Sequence, residues 1–211
     1  VEFKGIKSSN AISTNKGAIG FDIFINAAGA YSDRVANSFG VGLNYRLIPF
    51  KGVYRKLKNK ERCEIKGNIY PVPDLRNPFL GVHFTRSVDG EVYVGPTAIP
   101  ALGRENYGLI KGINMETFDI LLREVVLFIT NSKFKDVALT EPKKYIFKYF
   151  FNDAKKLVKK LSPEDIIKSD KVGIRPQLID WDKKELVMDF MIIKDGTSVH
   201  ILNTISPGFT S

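Results

Sequence analysis

Only two histidines, His83 and His200, occur in the 211 residues, and histidine is the side chain whose ordinary pKa of ~6.5 suits proton transfer near neutrality. Residues 80–88 alternate so that Val82 and Phe84 share one strand face while His83 and Thr85 share the other. His83 can therefore point away from an apolar core toward a cavity. His200 precedes Ile201-Leu202-Asn203 and the Ser206-Pro207 pair. A second feature is Asn26-Ala27-Ala28-Gly29, between an apolar run and a stretch with helical spacing. A Rossmann-type layer uses such a strand-to-helix turn to bring bare backbone against a phosphate or nucleotide, and small residues there also serve plain packing. A third is the set Lys143, Lys144, Lys148, Lys155, Lys156, Lys159 and Lys160, opposite Phe147, Phe150, Ala154, Leu157 and Leu161 at helical spacing. It reads as the solvated face of a core-packing helix, or as a surface for lipid or nucleic acid.

Composition narrows the classes. Hydrophobic residues make up 44% and charged residues 26%, which suits a globular protein and excludes a disordered tail or a collagen-like repeat. Cys63 is the only cysteine, so the sequence holds no internal disulfide and no cysteine-based zinc site, and a reducing compartment fits. Neither Gly-x-Ser-x-Gly, a Walker A loop nor a metal-ligand cluster is present, so no metal site is expected. Lys and Arg number 32 against 23 Asp and Glu, a formal +9 that favours anionic partners. No run approaches the ~20 apolar residues of a membrane span. The opening Val1-Glu2-Phe3-Lys4 is neither a start methionine nor a signal peptide, which reads as a beginning inside a longer chain.

The elements that must position these residues follow from pattern. Residues 21–29 predict a buried parallel strand, and residues 31–39 a helix with Ser32 or Asp33 at its cap. Residues 45–50 and 52–57 are extended, with Pro49 and Gly52 suggesting an edge or a bend. Residues 80–95 predict a hairpin about Asp89-Gly90. Helices are expected over 115–131 and 142–160, then a short one opened by Ser162-Pro163-Glu164-Asp165. Strands are expected over 172–180, 186–193 and 198–203, with a turn at Lys194-Asp195-Gly196.

Specific motifs then fall in order. Asn26-Ala27-Ala28-Gly29 is followed by Pro49-Phe50-Lys51-Gly52-Val53-Tyr54, Asn68-Ile69-Tyr70-Pro71-Val72-Pro73-Asp74 and Pro78-Phe79-Leu80-Gly81-Val82-His83-Phe84-Thr85. Val94-Gly95-Pro96-Thr97-Ala98, Gly173-Ile174-Arg175-Pro176-Gln177 and His200-Ile201-Leu202-Asn203 complete the series. It resembles the FAD-dependent oxidoreductases related to D-amino acid oxidase, and among them the L-2-hydroxyglutarate oxidase/dehydrogenase family, over nearly the whole chain. The family's N-terminal Gly-x-Gly-x-x-Gly segment has no counterpart here, so the resemblance is to the C-terminal part. Gly173-Ile174-Arg175-Pro176 is nearer to the amino acid oxidase version of its motif.

The resemblance implies an α+β or α/β fold, with a mixed, mainly antiparallel substrate-domain sheet carrying helices, flanked by partial FAD-binding Rossmann-like elements. It divides the chain into residues 1–43 and 171–211 for the FAD layer and 44–170 for the substrate domain. It implies FAD as cofactor and oxidation of a 2-hydroxy dicarboxylate, L-2-hydroxyglutarate, to its 2-oxo product. An amino acid or glycerol 3-phosphate is the alternative substrate, and a non-catalytic basic module the alternative class. Arg175 would grip the substrate carboxylate, because its planar fork makes two parallel charge-assisted hydrogen bonds. His83 and His200 are the candidate bases, and Lys51, Tyr54, Thr85 and Thr97 candidates for the distal carboxylate. Ala28, Gly29, Gly173, Ser206, Pro207 and Gly208 would offer close backbone approach to FAD. A chain without the N-terminal FAD-binding segment is expected to be inactive alone. Implied partners are that segment and an electron acceptor, with no nucleic acid. A cytoplasmic place, peripheral to the inner face of a membrane, fits the basic helix.

Overall fold

The computed structural model describes residues 1–58, 63–72, 77, 79–108 and 110–204. The chain divides into two units, Val1–Ile48 with Pro176–Ser211, and Pro49–Arg175. The first unit opens with an antiparallel meander, β1 (Phe3–Ser8), β2 (Ala11–Thr14) and β3 (Gly17–Gly20). Its strands are short and mostly exposed, so no apolar alternation announces them in the sequence. β4 (Phe24–Asn26) follows, then a single 3-10 turn at Gly29–Tyr31 and helix α1 (Ser32–Ser38). Ser32 and Asp33 lie inside the first turn of α1 rather than capping it. Asp33 is buried, and its Oδ2 accepts the Leu47 amide at 3.0 Å, which ties α1 to the strand that follows.

That strand, β5 (Tyr45–Leu57), runs unbroken through Pro49 and Gly52 and lies inside its sheet, not at an edge. Gly52 is needed for close approach: a Cβ there would lie 2.7 Å from Pro96 Cβ. The hairpin forms as expected from β6 (His83–Arg86) and β7 (Val92–Gly95), with Gly90 at φ +77° in the turn. β8 (Ile99–Pro100) pairs with β5. Helix α2 (Glu116–Thr130) matches the pattern, whereas α3 (Ser132–Thr140), capped by the Asn131 side chain on the Phe134 amide at 2.9 Å, does not appear in it. The lysine-rich stretch is not one helix. Ile146 adopts extended backbone and separates a 3-10 turn, Pro142–Tyr145, from α4 (Phe147–Leu157). Lys144 is anchored in that turn by buried Glu141 at 2.8 Å, so Lys143 and Lys144 precede α4, and Lys159 and Lys160 follow it. Phe150 and Ala154 of α4 bury completely with Leu57, Phe84, Val92, Val94 and Leu161 to form the core of the second unit.

The Ser162–Asp165 capping box forms, with the Ser162 amide donating to Asp165 Oδ2 at 2.8 Å, and opens a 3-10 turn that feeds directly into β9 (Ile166–Asp180). Within the second unit, the Lys58 amide donates to the Asp165 carbonyl at 2.7 Å and β9 runs beside β5. The chain returns to the first unit through β10 (Glu185–Leu186), β11 (Met191–Asp195) and β12 (Ser198–Asn203). β12 lies between antiparallel β11 and parallel β4. β4 is therefore parallel, as expected, but it is three residues long and mostly unburied. Ile23 and Ile25 are exposed, while Phe24 packs with Phe21 and Phe39. Ala36, Leu47, Leu178 and Leu202 form the core here. The two units divide inside β5 and β9, between Ile48 and Pro49 and between Arg175 and Pro176. No helix among the described residues is long and apolar enough to cross a membrane.

Gly52→Ala is expected to destabilise the protein by about 1–3 kcal/mol through overpacking against Pro96, seen as a lower urea midpoint with an unchanged slope.

Candidate active site

The register of three strands in the second unit sorts its chemistry by face. His83 pairs with Gly95 and Phe84 with Val94 across β6 and β7, and Arg55 of β5 pairs with Val94. Side chains alternate along a strand, so Phe84, Val94 and Arg55 share the face that carries α4. The Arg55 guanidinium lies 4.9 and 5.3 Å from the Phe147 and Phe150 ring centres on that side. The opposite face carries His83, Gly95 and Tyr54 in one row and Thr85 and Tyr93 in the next. β9 adds to it: Lys171 Nζ sits 4.1 Å from the Tyr93 ring centre and 5.3 Å from that of Tyr54. Two-residue steps from Lys171 then lead to Gly173 and Arg175. Gly95, at φ +136°, adds no side chain, and a Cβ there would meet the Val53 carbonyl at 3.1 Å.

His83 is half-buried and held on two sides. Its Nδ1 lies 2.9 Å from the Gly81 carbonyl, an acceptor, so Nδ1 carries the proton and Nε2 the lone pair. The Tyr70 ring packs on the imidazole with centres 4.7 Å apart. Burial lowers the His83 pKa from 6.5, partly offset by the Gly81 hydrogen bond. The ring is thus neutral at pH 7 and able to accept a proton at Nε2. Burial, with Tyr70 nearby, raises the Tyr54 phenol, which stays protonated and can donate.

Arg175 lies with its guanidinium carbon 4.9 Å from the Phe79 ring centre, and Phe79 packs edge-on against Phe50 of β5 at 4.8 Å. Burial lowers the Arg175 pKa to about 10, which leaves it charged at neutral pH yet partly dehydrated. Such a cation favours a carboxylate more strongly than a fully hydrated one would. The face therefore holds a partly dehydrated cation and a neutral imidazole, with Gly95 and Gly173 on the same side.

Other expected residues lie elsewhere. Lys51 is buried, with Nζ donating to Asn106 Oδ1 at 3.1 Å and to the Gly108 carbonyl at 2.7 Å, and burial lowers its pKa. Thr97 is buried, and its hydroxyl accepts the Val53 amide at 3.2 Å. His200, in the first unit, is fully buried. Asn26 Nδ2 donates to its Nδ1 at 3.2 Å, so Nε2 bears the proton and donates to Ser198 Oγ at 2.9 Å. Both ring nitrogens are engaged, and burial lowers the pKa. Asn26 in turn accepts the Ala28 amide at 3.2 Å and donates to the Ser32 carbonyl at 2.8 Å, so His200 supports the Ala27–Ala28–Gly29 turn.

That turn fits an FAD contact: Ala28 is exposed, and a Cβ on Gly29, at φ +56°, would meet nothing within 4 Å. Gly173 on β9 is equally open. Ser206, Pro207 and Gly208 lie outside the described residues. Sequence reasoning missed Tyr70, Phe79, Tyr93 and Lys171 as members of the site. Strand alternation from Arg175 would have found Lys171, and alternation from Gly95 would have found Tyr93. Tyr70 lies between prolines and loops, where no period operates.

His83 is expected to titrate below 6.5, with Nε2 unprotonated at pH 7, in nitrogen-15 NMR of the imidazole. A midpoint above 6.5 would remove it as a base.

The model of the FAD dependent oxidoreductase family matches residues 2–211. The chain is similar to an L-2-hydroxyglutarate dehydrogenase of Indibacter alkaliphilus, 36% identical over 206 residues, covering 97% of this chain and 51% of that protein. A mitochondrial L-2-hydroxyglutarate dehydrogenase of Bos taurus is 33% identical over 215 residues, covering 98% of this chain and 46% of that one. The chain thus spans about half the length of these relatives. Among solved structures, glycine oxidase from Bacillus cereus aligns with a TM-score of 0.50 at 13% identity, over 97% of this chain and 45% of that one, a likeness of fold. The chain, with its mixed and mainly antiparallel sheet, belongs to the FAD dependent oxidoreductase family.

Proposed function

We propose that the protein containing this chain oxidises the C2 alcohol of a 2-hydroxy acid, with L-2-hydroxyglutarate as substrate and FAD as cofactor. The observation that carries this reading is the shared sheet face, on which the row His83, Gly95 and Tyr54 lies with Arg175. The relatives' names supply the substrate class.

FAD supplies the acceptor for the hydrogen and electron pair leaving carbon. The chain's own residues do the rest. Arg175 pairs with the carboxylate next to C2, and the rigid fork fixes the direction in which the C2 hydrogen points. His83 Nε2 takes the hydroxyl proton as the carbonyl forms, and its neutral state at pH 7 makes it ready to do so. Tyr54 donates a hydrogen bond from the phenol, and Gly95 and Gly173 leave room above the strands. Lys171, held between Tyr54 and Tyr93, is the cation available for a second carboxylate on this face. In the first unit, the Ala28–Gly29 turn offers backbone to the cofactor.

Anaerobic addition of L-2-hydroxyglutarate to the FAD-loaded protein is expected to bleach the flavin band. A band unchanged by it but bleached by an amino acid or glycerol 3-phosphate would replace the substrate and keep the site. In the same protein, Arg175→Lys should raise KM roughly tenfold to a hundredfold with a smaller change in kcat. His83→Asn should lower kcat by about a hundredfold or more with its folding intact. Unchanged turnover in that variant would remove His83 from the mechanism.

A further inference from the structure

β6 ends the strand order of its sheet, and residues 68–71 run antiparallel along its outer edge. Each of them meets β6 or the turn that leads into it. The Asn68 side chain accepts the Arg86 amide at 2.9 Å. Ile69 and Phe84 exchange both backbone hydrogen bonds at 2.9 Å. That bridge sets Tyr70 opposite His83, on the face away from α4, where the two rings lie 4.7 Å apart with 36° between their planes. Pro71 Cγ lies 3.7 Å from where a Cβ on Gly81 would sit. The Gly81 carbonyl, set by a φ of +81°, is the group that holds His83 Nδ1. A strap of successive residues thus reaches the imidazole both at its ring face and behind its hydrogen-bond acceptor.

We propose that Tyr70 is a positioning residue for proton transfer: the strap closes one face of the His83 imidazole and fixes the direction of Nε2. This rests on the reading of His83 as the base. A single hydrogen bond at Nδ1 is a hinge, about which the ring can swing while the bond survives. A second ring packed on its face removes that freedom, because swinging would break the contact. Turning the imidazole over would instead surrender the Gly81 bond and leave its N–H without that acceptor. The two constraints together leave one orientation, and a base held in line with its hydroxyl avoids the loss that a displacement of about 1 Å brings. Tyr70 also keeps water from one side of the ring. Burial is the larger cause of the lowered His83 pKa and the Gly81 hydrogen bond opposes it, so uncovering the ring should raise the midpoint toward 6.5. The other titratable groups on this face, among the described residues, are Tyr54 of β5, Tyr93 of β7, and Lys171 and Arg175 of β9. The Tyr70 phenol helps to raise the pKa of Tyr54, so ring and hydroxyl have separable effects.

The test compares two substitutions. Tyr70→Thr keeps a hydroxyl on a strand-forming side chain and removes the ring, whereas Tyr70→Phe, the conservative variant, keeps the ring alone. In nitrogen-15 NMR, with the His83 signal identified by its loss in His83→Asn, Tyr70→Thr is expected to raise the His83 midpoint and Tyr70→Phe to leave it in place. In the FAD-loaded protein, Tyr70→Thr should lower kcat roughly tenfold while KM changes by less than about twofold. The acid limb of its kcat/KM profile should move to higher pH together with the midpoint, because less of the imidazole is neutral at a given pH. Tyr70→Phe should restore most of the lost turnover. A His83 midpoint unmoved in Tyr70→Thr overturns the proposal, and so does a Tyr70→Phe variant that loses as much kcat as Tyr70→Thr. The midpoint is read without turnover, so the two readings fail separately: unchanged turnover in His83→Asn removes the base, and an unmoved midpoint removes only the role of Tyr70.

Discussion

Everything on the candidate site hangs on the pleat of one sheet. With Arg55 opposite Val94 and Phe84 opposite the same residue, the α4 side takes the apolar and cation–π contacts, and the other side takes His83 and Tyr54. Sliding one strand by a single residue would exchange its faces, sending a histidine into the core and a phenylalanine into the site. Burial opposes that slip. Phe84, Val92, Val94 and Phe150 are completely buried, and each such side chain contributes about 1.5–3 kcal/mol over its exposed state. The position of His83 is thus set by side chains on the opposite face of the sheet.

The first unit solves a related problem by hydrogen bonds. Asn26 spends its donors and acceptor on Ser32, His200 and Ala28, so the turn after β4 is fixed at three points. Because Asn26 donates to His200 Nδ1, the imidazole must stay neutral for the contact to hold, and burial among Phe24 and Phe39 favours that state. Two histidines with the same direction of shift therefore serve different ends. His83 has one ring nitrogen engaged and His200 has both engaged.

Much of this was legible in the residues, and the exceptions have physical causes. The Asp89-Gly90 hairpin and the Ser162–Asp165 box are local patterns, and local patterns survive folding. Strand alternation correctly separated His83 from Val82 and Phe84. The lysine-rich stretch misled because helical spacing continues through Ile146, while the backbone breaks there, next to Lys144 held by a buried Glu141. Pro49 and Gly52 suggested an edge or a bend, yet β5 is internal and unbroken, and its glycine answers to Pro96 on a neighbouring segment. Tyr70 reaches His83 from a segment without periodicity, so its place depends on tertiary packing alone.

The two glycines on the site face have unequal evolutionary freedom. Gly95 is locked, since its φ of +136° and the nearby Val53 carbonyl forbid a side chain. Gly173 has ordinary backbone angles for any residue and empty space where a Cβ would go. A side chain at residue 173 would leave the sheet undisturbed, so what limits its size is whatever molecule approaches that face beside Arg175.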